Sequence, residues 1–369
     1  MAKLGLPYLH IRFTEQGIAR IGRSERGIVA LVVQEKNLSG TFTIYTNTDI
    51  PKGLSDKNRE QVELALMGYV QTPKKIILVV EKSETADTPK FDVTSPGFKA
   101  LETLRFDYLA VPFADESDSQ KIATWIKTLN DNKDKRCKMV AANVKGDSRK
   151  IINYTMPSVS TIDKEYKANE YVARIAGLIA GTPMQIACTY APLTELVACT
   201  HYTQEELADK IGQGELVLLN DGEKIKVARG VNSLITTSQI EGESFRKIKI
   251  VDIMDAMADD IQMAAQDSFI GKFACSYDNK VLLMSAILGY MEVLENDGLL
   301  AKGASRVEID MDAQKAFLRS MGFKMPDGRT VDEMDYKEIR EADTKDKVFI
   351  RAYCKILDAI EEIELNVEI

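Results

Sequence analysis

Histidine is nearly missing from this chain: 369 residues contain two, His10 and His201. Nucleophilic catalysis by a Ser/His/Asp arrangement would therefore rest on His201. That residue follows Thr200 and precedes a helix start at Thr203, where a solvated or capping histidine fits better than a general base. Cysteine is also sparse, with five residues (137, 188, 199, 275, 354), an odd number never spaced as Cys-x-x-Cys. A disulfide framework and a zinc site are both excluded, and the residues read as reduced thiols of a cytosolic product. Long apolar runs are lacking too. The longest, Ile76–Val80 and Ile175–Ala180, fall far short of the ~18 residues that span a bilayer, and Pro7, His10 and Arg12 interrupt any signal-peptide core. Basic excess is absent: 48 Lys and Arg against 56 Asp and Glu give a net charge of −8, so neither nucleic acid binding nor membrane insertion is expected.

Signatures of bound phosphate and metal are incomplete. Gly212-Gln213-Gly214 lacks a third glycine and follows a helix, and Gly177–Thr182 lacks the P-loop lysine, which leaves helix packing and a C-cap as its explanation. Glu308, Asp310 and Asp312 lack the glycine and terminal glutamate of a calcium loop and read as the wet face of a strand. Asp259-Asp260 and Glu361-Glu362 read as solvated surface. No catalytic, cofactor-binding or metal-ligating residue is assigned, and the weight moves from an enzyme toward a structural protein.

What is present is strong patterning. Ile28–Val33, Thr41–Thr46 and Ile76–Val80 read as strands, the last buried on both faces, with a helix between them capped by Ser55 and carrying Val62, Leu64, Ala65, Leu66 and Tyr69. Residues 84–97 read as a loop. A helix at 98–104, a strand at 108–112, a helix opened by Ser117-Asp118-Ser119-Gln120, strands at 138–143 and 151–156 and a helix at 168–180 closed by Gly181 follow. Such alternation predicts a mostly parallel α/β sheet. Thr203 caps a further helix, and 216–219 with 225–227 form a hairpin around Asn220-Asp221-Gly222. Beyond about residue 240 the pattern becomes α+β: long helices at 250–265 and 281–296, a strand at 306–310, a helix at 312–319 and terminal strands from Val348.

Both ends alternate with a period of two. Ile363, Leu365, Val367 and Ile369 interleave with polar residues at one end, and Leu9, Ile11 and Phe13 do so at the other, where Pro7 fits an edge strand. Either the strands complete their own domain, or they are offered to another copy. Residues 1–36 carry six basic against three acidic side chains and residues 331–369 carry six against twelve, a contrast that steers the ends of neighbouring subunits together.

Three stretches carry a family resemblance. They are Gly5–Phe13 running into Arg23–Ala30; Ala173-Arg174-Ile175-Ala176-Gly177-Leu178-Ile179-Ala180-Gly181-Thr182-Pro183; and Gly214–Leu218 through Gly230-Val231-Asn232-Ser233-Leu234-Ile235-Thr236-Thr237 to Lys247–Asp252. In this order and spacing, over nearly the whole chain, they resemble the contractile tail sheath proteins of bacteriophages and phage-tail-like bacteriocins, in the compact form of Gram-positive hosts. The resemblance implies a subtilisin-like α/β domain (25–240), a C-terminal α+β domain facing the tail tube (241–347), and arms at 1–24 and 348–369 that add strands to sheets of neighbouring subunits. It implies a helical array of copies in stacked hexameric rings, with tail tube, baseplate and tail terminator proteins as partners. Assembly would occur in the host bacterial cytoplasm before the released particle carries the sheath in its tail. Longer relatives insert a β-rich segment after the strand matched by Ile76–Val80, where this chain has only a loop. Gly17, Gly22 and Asp358 are the candidate hinges. The rival readings are a cytosolic α/β hydrolase-like enzyme dependent on His201 and the sheath of a related injection or secretion system.

Overall fold

The computed structural model describes residues 21–22, 26–84, 89–239 and 241–367. Its centre is a sheet built from β1 (Ile28–Glu35), β2 (Gly40–Ile44), β3 (Lys75–Lys82), β4 (Tyr108–Ala110), β5 (Lys138–Ala142) and β6 (Ile151–Tyr154). Three short strands, β7 (Ser158–Ser160), β8 (Glu165–Lys167) and β9 (Ala198–Cys199), make a separate small sheet. The chain then returns through β10 (Glu215–Leu216) to the edge of the large one. The order is β10-β6-β5-β4-β1-β3-β2, parallel throughout except for β2.

Period-two geometry explains why β1 is apolar at almost every position. Val29, Leu31 and Val33 enter one core, while Ile28, Ala30 and Val32 enter the other. Helices α1 (Asp56–Leu66) and α4 (Ala168–Ala180) cover the first face with Val62, Ala65, Ile175 and Leu178. Helices α2 (Pro96–Thr103) and α3 (Glu116–Lys133) cover the second with Phe98, Leu101, Ile122, Ile126 and Leu129.

The Ala173–Pro183 motif is therefore α4 with its C-cap. Gly177 lets α4 approach α1 so closely that a Cβ would collide with the Ala65 carbonyl. Gly177→Ala should destabilise the fold by about 1–3 kcal/mol, the usual cost of overpacking, read from the urea midpoint; an unchanged midpoint would contradict this packing.

Several sequence expectations need correction. Tyr69 lies outside α1, because Gly68 at φ +62° turns the chain away after Leu66. The cap of α3 is Asp115, whose Oδ1 accepts from the Asp118 amide at 2.8 Å, so Ser117 already lies in the first turn. Helix α2 begins at Pro96 inside the expected loop, since Ser95 caps it and proline suits a first turn. The expected strand at 216–219 is split: β10 joins the large sheet, and β11 (Leu218–Asn220) pairs with β12 (Ile225–Val227). Ahead of β10, α5 (Gln204–Gly212) forms behind its Thr203 capping box.

The described residues fall into two compact units. The first draws on described residues within 26–259, 297–299 and 356–367, and the second on 21–22, 260–296 and 300–355. The division falls inside α6 (Ile248–Ser268). In the second unit α7 (Tyr277–Asn296) buries Ile287, Tyr290, Met291 and Leu294, and α8 (Met311–Ser320) and α9 (Tyr336–Glu341) close a small core around Leu318 and Ile339. Its β13 (Arg306–Ile309) and β14 (Ile350–Tyr353) form an antiparallel pair of two strands. The terminal strands expected from Val348 reduce to β14: residues 356–367 run without a ladder to any described strand.

Candidate functional site

In doubly wound sheets ligands sit beyond the carboxyl ends of the strands, where the strand order reverses. Here that crevice is filled by the protein itself. The Gln34 amide donates to the Lys90 carbonyl at 2.5 Å, Asn58 donates to the Gln34 carbonyl and to Glu35 at 2.8 Å each, and the Lys57 ammonium sits 3.8 Å from the Phe113 ring centroid. Glu35 also accepts from the Ser55 amide and hydroxyl at 2.7 Å, so its carboxylate serves the start of α1.

The densest charge lies at the opposite, N-terminal ends of the strands. Asp252, Asp255 and Asp259 share one face of α6 at the i, i+3, i+7 spacing. Asp255 takes Lys138 of β5 and Lys150 at 2.7 Å each, Lys138 also reaches Asp252 at 3.0 Å, and the Tyr108 hydroxyl donates to Asp252 at 2.6 Å. Arg26 bridges Asp107 at 3.0 Å and Asp259 at 2.9 Å, and Arg136 joins Asp259 at 2.9 Å. Burial would push the Asp255 carboxyl up, but the two ammonium groups overcome this and hold it ionised, well below the usual range. Asp252 shifts the other way, because burial outweighs Lys138 and Tyr108. Every carboxylate here is engaged with a cation or donor, so the cluster clamps α6 to the sheet edge and leaves no group poised for chemistry. Asp259-Asp260, read from sequence as solvated surface, belongs to it through Asp259; Asp260 is buried and accepts from the Tyr290 hydroxyl at 2.7 Å.

The C-terminal segment is held by a second cluster. Leu357 donates its amide to the Leu299 carbonyl at 2.9 Å. Glu361 then enters a socket made by three distant segments: its carboxylate accepts from the Thr189 hydroxyl at 2.6 Å, Arg229 Nε at 2.9 Å and Lys247 Nζ at 3.0 Å, and its side chain is only 8% exposed. Arg229 extends to Glu362 at 3.1 Å, and Lys247 also pairs with Asp358. Thr189 is oriented by the Gly230 amide, which donates to its hydroxyl at 3.0 Å; a Cβ at Gly230 would lie 2.7 Å from Cys188 Sγ. The Gly230–Thr237 motif thus supplies the socket wall, with Asn232 tied to the Phe245 carbonyl at 2.7 Å and Ser233 to the Ile151 carbonyl at 2.8 Å.

Glu361 was expected at the surface. The sequence could not show otherwise, because its partners lie 114 to 172 positions away. Asp358, expected as a hinge, is tied to Lys247 and caps the Ala359 amide at 2.8 Å. Immediately beyond the socket the chain is bare: Ile363 is 81%, Leu365 79% and Val367 72% exposed. Ile369 lies outside the described residues, as do Leu9, Ile11, Phe13 and Gly17. Gly22 is exposed with nothing within 4 Å of a Cβ position.

Burial pushes the Glu361 carboxyl up, while Thr189, Lys247 and Arg229 together bring it below the ordinary value. A depressed carboxylate stabilises the docked root above the ordinary glutamate range near pH 4.3, and this is lost as pH falls through the lowered value. Protection factors at residues 356–362, exchange being corrected for its intrinsic pH dependence, should therefore fall on acidification, and Glu361→Gln should flatten that fall; equal pH profiles would refute the socket.

His201 is exposed ahead of α5, on the wall of a cleft, with no charge-relay geometry among the described residues. Asp310 caps α8 through the Ala313 amide at 3.1 Å and pairs with Arg351 at 2.9 Å. Among the described residues no group of three or more His, Cys, Asp and Glu could hold a metal ion, and no helix is long and apolar enough to cross a membrane.

Residues 84–233 match the family described as the phage tail sheath protein central domain, and residues 241–369 match the phage tail sheath C-terminal domain. The chain is 34% identical to the tail sheath protein of Clostridium phage phiCD119, covering 99% of both proteins. It belongs to the phage tail sheath family. Solved structures agree in fold. The helical sheath of the anti-feeding prophage in its contracted state matches with a TM-score of 0.66 at 17% identity, covering 99% of each chain. A sheath tail protein of Desulfitobacterium hafniense matches with a TM-score of 0.66 at 16% identity, covering 82% of this chain and 94% of that one. The chain is thus a structural subunit of a contractile sheath, and its mostly parallel α/β sheet with a C-terminal α+β part is the fold those relatives share.

Proposed function

We propose that this subunit polymerises helically, in stacked hexameric rings around a tail tube, and that contraction of the array drives the tube through a target envelope. Neighbouring copies are joined by strand addition through Leu9, Ile11, Phe13, Ile363, Leu365, Val367 and Ile369. The observation that carries this reading is the bare, alternating 363–367 segment leaving a pinned root. Its apolar edge is unmatched within the described molecule, whereas added strands would bury it while satisfying its backbone. The acceptor edge is the β13–β14 pair. Two strands alone are marginal in water, and Arg306 and Arg351 on them complement Glu364 of the incoming arm.

Burying the four apolar residues of the arm contributes about 1.5–3 kcal/mol each, and ordering seven residues costs about 1–2 kcal/mol each. Those terms nearly cancel, so the ladder hydrogen bonds, worth about 0.5–1.5 kcal/mol each, decide when assembly occurs. The hinge moves with the anchor: Asp358 is held, so the arm bends beyond Glu362.

The domain at 241–347 faces the tube; tube, baseplate and terminator proteins are the further partners, with no direct nucleic acid contact, no membrane insertion and no enzymatic activity. Assembly takes place in the bacterial cytoplasm, and the particle carries the sheath in its tail. Negative-stain microscopy of the purified full-length protein tests the reading. Hollow tubes many rings long are expected on concentration, and a protein that stays monomeric at every concentration would overturn it.

A further inference from the structure

Beside the socket lies a cleft of about 1170 Å³ between α5, the β11–β12 hairpin and the segment 243–247 ahead of α6. Its floor carries Leu207 and Ile211 of α5 with Leu219 of β11, and its lip carries Arg229, Lys247 and Asp358, the residues that grip the arm's root. Helix α5 is anomalous. Nine residues depend on tertiary packing for their stability, yet α5 buries none of them, and its apolar side is only half covered. Leu207 and Ile211 pack against the central core on one side and leave the other side open to the cleft. Resting on the arm's role as a subunit link, we propose that the cleft is the resting site of the chain's own arm. In the unassembled subunit residues 363–367 lie along Leu207, Ile211 and Leu219, and assembly draws them out.

The occupant follows from continuity. None of Ile363, Leu365 and Val367 lines the cleft in the extended position seen here, but their chain leaves the socket on the cleft's own lip. Five extended residues beyond Glu362 reach about 17 Å at ~3.3 Å each. A tethered segment meets the cleft at millimolar effective concentration, far above any free partner. With Ile363, Leu365 and Val367 turned to the floor, the period of two turns Glu364 outward, toward the rim that carries Arg229 and Arg246. The same three side chains that would bury in a neighbour are thereby hidden until a neighbour's sheet edge competes for them.

Hydrogen exchange on dilute, unassembled protein tests this. Comparing the full chain with a chain ending at Glu362, α5 amides should exchange about tenfold faster in the shortened protein. The synthetic peptide Ile363–Ile369 added in trans should restore their protection. Equal exchange in the two proteins would overturn the proposal. So would protection of α5 that grows with protein concentration, because the occupant would then be a second copy. Tubes formed by the shortened chain would sink the linking role itself, whereas unchanged α5 exchange sinks only the resting site.

Discussion

A chain ending at Glu362 should fold with the stability of the full protein and form no tubes at concentrations where the full chain polymerises completely. The cut leaves the socket intact, since Glu361 keeps Thr189, Arg229 and Lys247. It removes only residues whose described members are bare. In the extended position their loss costs the folded subunit almost nothing, because a side chain about four-fifths exposed, such as Ile363, contributes little burial, and an arm docked in the cleft adds only local protection of α5. It costs the array every arm-mediated link. Circular dichroism and urea titration would read the first half, and electron microscopy the second. Tubes of normal length from the truncated chain would remove the arm from the account.

The largest effect on stability is expected at Asp255. Asp255→Ala strips the shared counter-charge from Lys138 and Lys150 while both ammonium groups stay buried. Removing one partner of a buried pair costs about 3–5 kcal/mol. Replacing the whole group with apolar residues of similar size (Asp255→Leu, Lys138→Met, Lys150→Met) should cost much less, because no buried ammonium is left stranded and Asp252, which loses Lys138, keeps the Tyr108 hydroxyl. The contrast between the single and triple variants in urea titration isolates the ionic clamp from simple loss of packing. A single variant within about 1 kcal/mol of the parent would show that the clamp contributes nothing beyond an ordinary surface change.

The layered part of the fold was legible in the sequence because its signals are local. Strands β1 and β3 announce burial on both faces by unbroken apolar runs, and α4 carries its own stop in Gly181. Where the reading slipped, a neighbour in space had overruled the local pattern. Ser117-Asp118-Ser119-Gln120 has the form of a cap, but Asp115 sits two residues earlier and wins the Asp118 amide. The socket was invisible for a stronger reason: Glu361 and Glu362 are the same residue type side by side, and only the fold decides that Glu361 is gripped while Glu362 stays at the surface. Likewise, nothing in residues 204–212 distinguishes a helix against a full core from one beside an open cleft. The alternation at 363–367 is plain in the sequence, but these residues pair with no described strand, so its role rests on the proposed assembly.

That dependence can be measured directly. Helical reconstruction of the assembled tubes by electron cryomicroscopy, at a resolution that traces the main chain, would locate residues 363–369 in every copy. The account places them as a strand hydrogen-bonded to the β13–β14 pair of a neighbouring subunit, with residues 356–362 still in their own socket. Density for residues 363–369 folded back on their own subunit throughout the array would contradict it.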